Sequence, residues 1–396
     1  MLLAMRKYRT LKCFASFQCL KDKCEQNCCG GWKINVDEKT IQKWKERAPH
    51  LLDLVEEDKS EGEDCWKMKR PEGHCMALRD GFCGVQQDYG VDMLPDLCGY
   101  FPHQYKDFGE YTYGSIALSC PATAKAILFA NKEDDWKFVD WKPFFEKDHI
   151  YSYKDSVSVP YKDVEKLFEN VCALFDNKKE DFNILLATFV KVCFENYKLS
   201  TKEFAENLKN EFLKYKTAIK KEYRSRKGEV SDVFFTIVKT IIDIKSGIQE
   251  MADVKRALGI FQAENETVDL TRLGTLMTKY NSVIANYKKN TKPLVDNLVK
   301  NYFKCRLAEY LFPSYWILQG IRSTLTYILC ETLTFKLFLL CLAPKKKDLR
   351  NINKVIHIAS RIGRLFYGKL SSTTYEEIKK NYWFHRETLN DFILYY

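Results

Sequence analysis

Apolar residues return at helical spacing through most of the second half of this chain. Residues 164–175 and 182–197 carry the pattern of helices that bury one face. A third helix opens on Ser200 with Glu203 three residues on, the reciprocal pair of a capping box. Phe204, Leu208, Phe212, Tyr215 and Ile219 then fall on one side of it. The same period runs over 230–261 through Phe234, Ile237, Ile241, Ile244, Ile248, Met251 and Leu258. Residues 295–313 and 315–342 read as buried helices, the second nearly apolar throughout. After Pro344 and the exposed run Lys345, Lys346, Lys347, residues 354–367 and 375–394 close the chain as helices. Stripes of this kind are packed core rather than a cofactor box.

The front third shows little of that period. Residues 8–32 reach the Gly30-Gly31 pair without helical spacing and read as a loop. Residues 37–47 form a helix with Ile41 and Trp44 on one face, stopped by Pro49. Residues 51–73 crowd Glu56, Glu57, Asp58, Glu61, Glu63 and Asp64 into a solvated surface loop. Arg79-Asp80-Gly81 is a turn between two short strands, and Cys120-Pro121 opens a helix, since Pro suits a first turn. Residues 131–160 are aromatic and charged without a period. The resulting fold class is mainly α: an irregular cysteine-rich metal-binding N-terminal domain (1–130), an aromatic connection (131–160) and an α-helical C-terminal domain (161–396). Trp136, Phe138, Trp141, Phe144 and Phe145 are too apolar for a free linker, so the two domains are expected to pack together.

Composition adds limits. A chain of 396 residues with 46% hydrophobic and 29% charged residues has the profile of a soluble globular protein of two domains. The stretch 325–343 comes nearest to a membrane span. Glu331 and Lys336 near its middle would each cost about 2.5–3.5 kcal/mol in lipid, so a core helix is the better reading. Met1 to Met5 precede Arg6, Lys7 and Arg9, the reverse of a signal peptide, and the expectation is a cytoplasmic protein with no membrane partner. The net charge of +10 is spread over many lysines and reads as solvated faces, so no nucleic-acid partner is expected.

The chain holds 15 cysteines, which in a reducing compartment favour metal binding or burial over disulfides. Cys19, Cys24, Cys28 and Cys29 lie within eleven residues, closed by Gly30, Gly31 and Trp32; Cys75, Cys83, Cys98 and Cys120 follow beside turn-forming or polar residues. These eight are the candidate metal ligands. The hairpin at Arg79-Asp80-Gly81 brings Cys75 near Cys83, as a shared metal requires. Adjacent side chains such as Cys28 and Cys29 seldom point at one tetrahedral ion, which favours an iron–sulfur cluster, with zinc the alternative. The order CxxxCC is not the CxxxCxxC of radical enzymes that cleave S-adenosylmethionine. His74 and His103 stand near Cys75 and Cys98 as candidate ligands or donors to a ligand. Cys172, Cys193, Cys305, Cys330 and Cys341 sit in apolar helical surroundings and read as small buried hydrophobes, while Cys13 and Cys65 are assigned to neither group. No GxGxxG, P-loop, GxSxG or HExxH pattern occurs, so the residues alone leave the reaction open.

The stretch QCLKDKCEQNCCGGWKINVDEKT, Gln18 to Thr40, resembles the opening signature of the flagellin lysine-N-methylase family. Cys75, Cys83, Cys98 and Ser119-Cys120-Pro121 follow in that family's order. Asn301-Tyr302 with Leu311-Phe312-Pro313, and Ser360-Arg361, resemble its later segments more loosely. Met76 stands where the family has proline, Gly99 where it has arginine, and Arg364-Leu365 where it has a late histidine. The resemblance implies methyl transfer from S-adenosylmethionine to the ε-amine of a surface lysine on flagellin, with an iron–sulfur or zinc centre. An aromatic-lined cleft would suit both the sulfonium and the amine. The alternative is a non-enzymatic metal-carrying or redox-sensing interaction protein, which the cysteines alone would permit.

Overall fold

Strand β1 (Lys7–Leu11) sits inside a four-stranded sheet whose other members come from much later in the chain. After β1 the chain leaves the sheet and builds β2 (Asn35–Val36), β3 (Val55–Glu57), β4 (Trp66–Met68), β5 (Leu78–Arg79) and β6 (Phe82–Cys83). It returns as β7 (His103–Asp107) and β8 (Tyr111–Ile116), and β9 (Phe138–Asp140) completes the order β7-β8-β1-β9. β1 runs parallel to β8, with Tyr8 opposite Thr112 and Thr10 opposite Gly114, and antiparallel to β9. Parallel neighbours need a crossover connection. Here the crossover is the whole cysteine-bearing excursion. This computed structural model describes residues 7–24, 28–30, 33–58, 65–108, 110–142, 160–177, 179–196, 198–225, 273–310 and 321–368. The helices expected over 230–261 and 375–394 lie outside the described residues.

Side chains alternate across a strand, and one face of the sheet turns to the helices. Leu11, Tyr113 and Phe138 are buried there, and Phe138 meets Phe168 of the helix Tyr161–Phe175 edge to face at 5.7 Å. Arg9 ties the same helix on through Glu165 at 2.5 Å and bonds Asp140 of β9 at 3.0 Å. The helices Phe182–Glu195 and Thr201–Ser225 follow, and the expected cap is present: Ser200 Oγ and N–H both donate to Glu203, at 2.7 and 2.9 Å. Leu273–Asn286 passes through a single π turn, Tyr287–Thr291, into Lys292–Tyr310. Ile321–Leu342, Lys346–Arg350 and Ile352–Gly368 complete the described helices.

The described residues are mostly helical, as expected, but the front third is strand-rich rather than irregular. β1 falls in the segment read as a loop, β3 and β4 in the segment read as a solvated surface, and β9 in the stretch read as a connection. Each is five residues or shorter, too short for alternation to stand out, and β1 finds its partners only from distant sequence. One large core joins Leu11, Phe14, Tyr113, Trp136 and Phe138 to the helical layer, while a second, small core lies between Cys29 and Leu94.

The nearly apolar helix keeps Glu331 and Lys336 inside the protein. Glu331 accepts from Tyr302 Oη at 2.6 Å and pairs with Arg306 at 2.8 Å; Lys336 donates to Asn183 Oδ1 at 3.1 Å and lies 4.9 Å from the centre of the Tyr287 ring. Arg306 also pairs with Glu309, whose carbonyl accepts from Lys106 of β7. Among the described residues no helix is long and apolar enough to cross a membrane. Burial pushes the Glu331 carboxyl up to about 7 despite Arg306 and Tyr302. A carboxyl raised in the fold favours the folded state while protonated, so its contribution is full below the unfolded value of about 4.3 and is lost as pH rises through 7. Glu331→Gln should therefore flatten the fall in stability between those limits, read by urea unfolding at several pH values. Arg306→Ala, which strands a buried carboxylate, is expected to cost about 3–5 kcal/mol in the same assay.

Candidate functional site

The small core forms around Trp44, which is fully buried and donates through Nε1 to the carbonyl of Met93 at 2.8 Å. Its helix, Glu38–Arg47, is capped by Asp37, which accepts from Thr40 N–H at 2.9 Å and from Asp96 N–H at 2.8 Å. Burial opposes the Asp37 charge, but those donors outweigh it and hold the carboxyl below its ordinary value. One side chain thus starts two helices, the second being Asp96–Tyr100 with Cys98 in it. The turn between β5 and β6 has positive φ at Asp80 (51°) and Gly81 (79°), the two-residue hairpin the sequence predicts.

This framework gathers thiols. Cys29 is buried, its carbonyl accepts from Cys75 N–H at 2.9 Å, and its sulfur lies within hydrogen-bond reach of Cys28, Cys75 and Cys83. Those contacts push the Cys29 thiol far above its usual range, while the bond from Cys29 brings Cys83 down to about 7 and lowers Cys75. Burial raises Cys98, with Cys28, Cys83 and Cys75 close enough to add to the effect. Cys28, Cys29, Cys75, Cys83 and Cys98 therefore come together out of the eight expected ligands. Cys28, Cys75 and Cys83 meet Cys29 as hydrogen-bonding neighbours with Cys98 close by, and among the described residues no three or more His, Cys, Asp or Glu side chains form a ready metal-ligand group. As donors they are uniformly soft, which suits iron or zinc over a hard cation.

Of the other three, Cys19 is exposed and accepts from Lys21 N–H at 3.4 Å. Cys120 precedes the helix Pro121–Leu128; burial pushes its thiol up to about 11 against the N–H groups of Thr123 and Ala122, and Cys24 adds to the rise. His74 is exposed beside the buried Cys75. The late segments acquire structural roles here: Asn301 donates to the carbonyls of Leu128 and Ala130 at 3.1 and 2.9 Å, closing the helix that Cys120 opens. Gly363 lies so close to Leu118 and Ser119 that an added Cβ would stand 2.8 Å from the Ser119 nitrogen, which brings the Ser360-Arg361 helix against the Ser119-Cys120 turn.

A second feature escaped the sequence reading. On the sheet face opposite the helices, Trp141 hangs from β1 through Trp141 N–H to the Tyr8 carbonyl at 3.0 Å, and its ring stacks on His103 and Tyr105 of β7 at 5.3 and 5.9 Å. Tyr8, Phe17 and Tyr100 meet the same two side chains edge on, at 6.5, 5.1 and 5.8 Å. All six are half-buried. The platform lies where the chain crosses between the two cores, Phe17 two residues before Cys19 and Tyr100 two after Cys98. Gly114 of β8 makes it possible, since a Cβ there would lie 2.7 Å from the Trp141 ring. The signal available in sequence was a glycine inside a strand-forming run, Tyr111-Thr112-Tyr113-Gly114, which marks a close approach. Gly114→Ala should displace Trp141, cost about 1–3 kcal/mol and reduce the near-ultraviolet circular dichroism of the stacked rings. An unchanged spectrum would mean that the rings do not depend on the missing side chain.

No family model matches the chain, and no solved structure gives a significant match. Over 120 residues, 28% of the chain, it is 28% identical to the flagellar biosynthetic protein FliU of Salmonella muenchen, across 71% of that protein. The same identity over the same length relates it to the lysine-N-methylases of Salmonella typhimurium and Salmonella choleraesuis, where the match spans 30% of each. The chain is thus matched over less than a third of the length of those two enzymes. These relatives support a flagellin lysine-N-methylase-like family for the chain, the one its cysteine spacing resembles.

Proposed function

We propose that this protein is a cytoplasmic, S-adenosylmethionine-dependent lysine N-methyltransferase that acts on flagellin and carries an iron–sulfur cluster, or zinc, in its small core. The observation that carries the reading is the half-buried aromatic platform beside the cysteine module, in a chain with lysine-N-methylase relatives. Methyl transfer asks a protein for position more than for covalent chemistry. Bound S-adenosylmethionine would supply the methyl group on its sulfonium, and the chain's own residues would hold the substrate amine in line with it. Holding the reacting atoms in line at about 3–3.5 Å supplies much of the acceleration. Aromatic faces attract the sulfonium cation, and partial desolvation lowers the pKa of the incoming ammonium so that the neutral amine is accessible. Tyr8, Tyr105 and Trp141 would serve both purposes.

Cys28, Cys29, Cys75 and Cys83, with Cys98 beside them, would hold the metal. Bound there, it would cross-link the segments of the small core and keep its thiols deprotonated. The competing reading, a metal-carrying or redox-sensing interaction protein, is favoured by one observation: the thiols gather in a core of their own.

Protein prepared without oxygen is expected to contain iron or zinc by elemental analysis. Cys29→Ser and Cys75→Ser should lose it, while Cys172→Ser and Cys193→Ser, buried in the helical core, should keep it. Calorimetry with S-adenosylmethionine and intact-mass measurement of flagellin then separate the two readings. Mass gains of one methylene unit per transfer support the enzyme; a metal-replete protein that neither binds the cofactor nor shifts the mass leaves the binding protein. Trp141→Ala should remove about 1–2 kcal/mol of transition-state binding, roughly a tenfold loss in kcat/KM.

A further inference from the structure

His103 differs in kind from the rest of the platform. Its neighbours Tyr8, Phe17, Tyr100, Tyr105 and Trp141 offer faces and edges, whereas an imidazole also has two ring nitrogens in its plane. The backbone of Tyr100 lies within hydrogen-bond reach of the ring, and a neutral imidazole that donates there from one nitrogen keeps a lone pair on the other. Trp141 lies against the ring at 5.3 Å, Tyr105 is beside it at 6.3 Å and Phe17 meets it edge to face at 5.1 Å, so the plane of the ring, and with it the direction of the lone pair, is held.

We infer that His103 is the specificity-determining acceptor of the platform: its second ring nitrogen takes an N–H of the substrate's alkylamine and so distinguishes an amine from a cation that has none. The inference rests on the reading of the platform as the amine site. Burial lowers His103 to about 4, so at neutral pH the ring is an uncharged acceptor and does not repel an ammonium. Of the rings packed against it, Phe17 and Trp141 carry no charge and burial raises Tyr105, so no ionised phenolate from β7 competes for the amine. Aromatic faces alone attract any small cation. A fixed acceptor adds a hydrogen bond from a charged donor, enough to favour an N–H cation by about tenfold.

The test uses the full chain with two probes of similar size, n-butylammonium, which has N–H groups, and tetramethylammonium, which has none. Titration calorimetry is expected to show wild-type protein preferring n-butylammonium by about tenfold. His103→Phe, which keeps an aromatic ring, should abolish the preference and leave tetramethylammonium binding unchanged. His103→Gln, which keeps an acceptor oxygen, should restore part of it. If His103→Phe retains the preference, or weakens both cations equally, the histidine only packs and the inference fails while the platform stands as a cation site. If wild-type protein binds neither probe, the platform is not an amine site and the inference falls with it. The flagellin mass measurement then decides separately whether the chain is a methyltransferase.

Discussion

The sheet depends on strict alternation along β7 and β8. Tyr105 and Lys106 are neighbours in sequence, yet one stacks on Trp141 and the other reaches Glu309 in the helical core. A one-residue slip would exchange them, placing a lysine on the aromatic platform and a tyrosine among buried charges. Register is therefore the constraint from which both the platform and the core follow. The pairings of Tyr105 with Gly114 and Lys106 with Tyr113 hold it in place. Buried charge reinforces this, because Lys106 reaches the Glu309 carbonyl only when β7 and the helix Lys292–Tyr310 are correctly seated.

The thiols obey a different logic. Their module has a core just large enough to exclude water, with Trp44, Ile41, Met68 and Met93 around Cys29 and Cys75. Small modules of this size are often stabilised by a metal or by covalent links. The gathering of five thiols on one side of such a core is what a cross-linking ion would exploit, and the hairpin and the Asp37 cap are the local devices that aim them.

Long helical periods were readable because many residues agree: the helix with the Ser200 cap, the helix at Asp37 and the buried helix carrying Glu331 and Lys336 all lie where the pattern puts them. The two-residue turn at Asp80-Gly81 was readable for the same reason, since turn chemistry is local. β1 was not, because Lys7-Tyr8-Arg9 carries no apolar alternation and becomes a strand only through partners about a hundred residues away. The approach of Cys75 to Cys83 follows from the Asp80-Gly81 hairpin. The platform was hidden for a physical reason. Its members are scattered from Tyr8 to Trp141, and the residue that permits their stacking, Gly114, contributes no side chain at all.

The parallel pairing of β1 with β8 also sets an order of events. During synthesis β1 emerges long before its neighbour exists, and the cost of closing so long a loop is met only once the intervening chain has compacted. The cysteine module is that intervening chain. Its collapse draws the ends of the excursion together, so the speed at which this small module compacts would set the rate at which the central sheet can close.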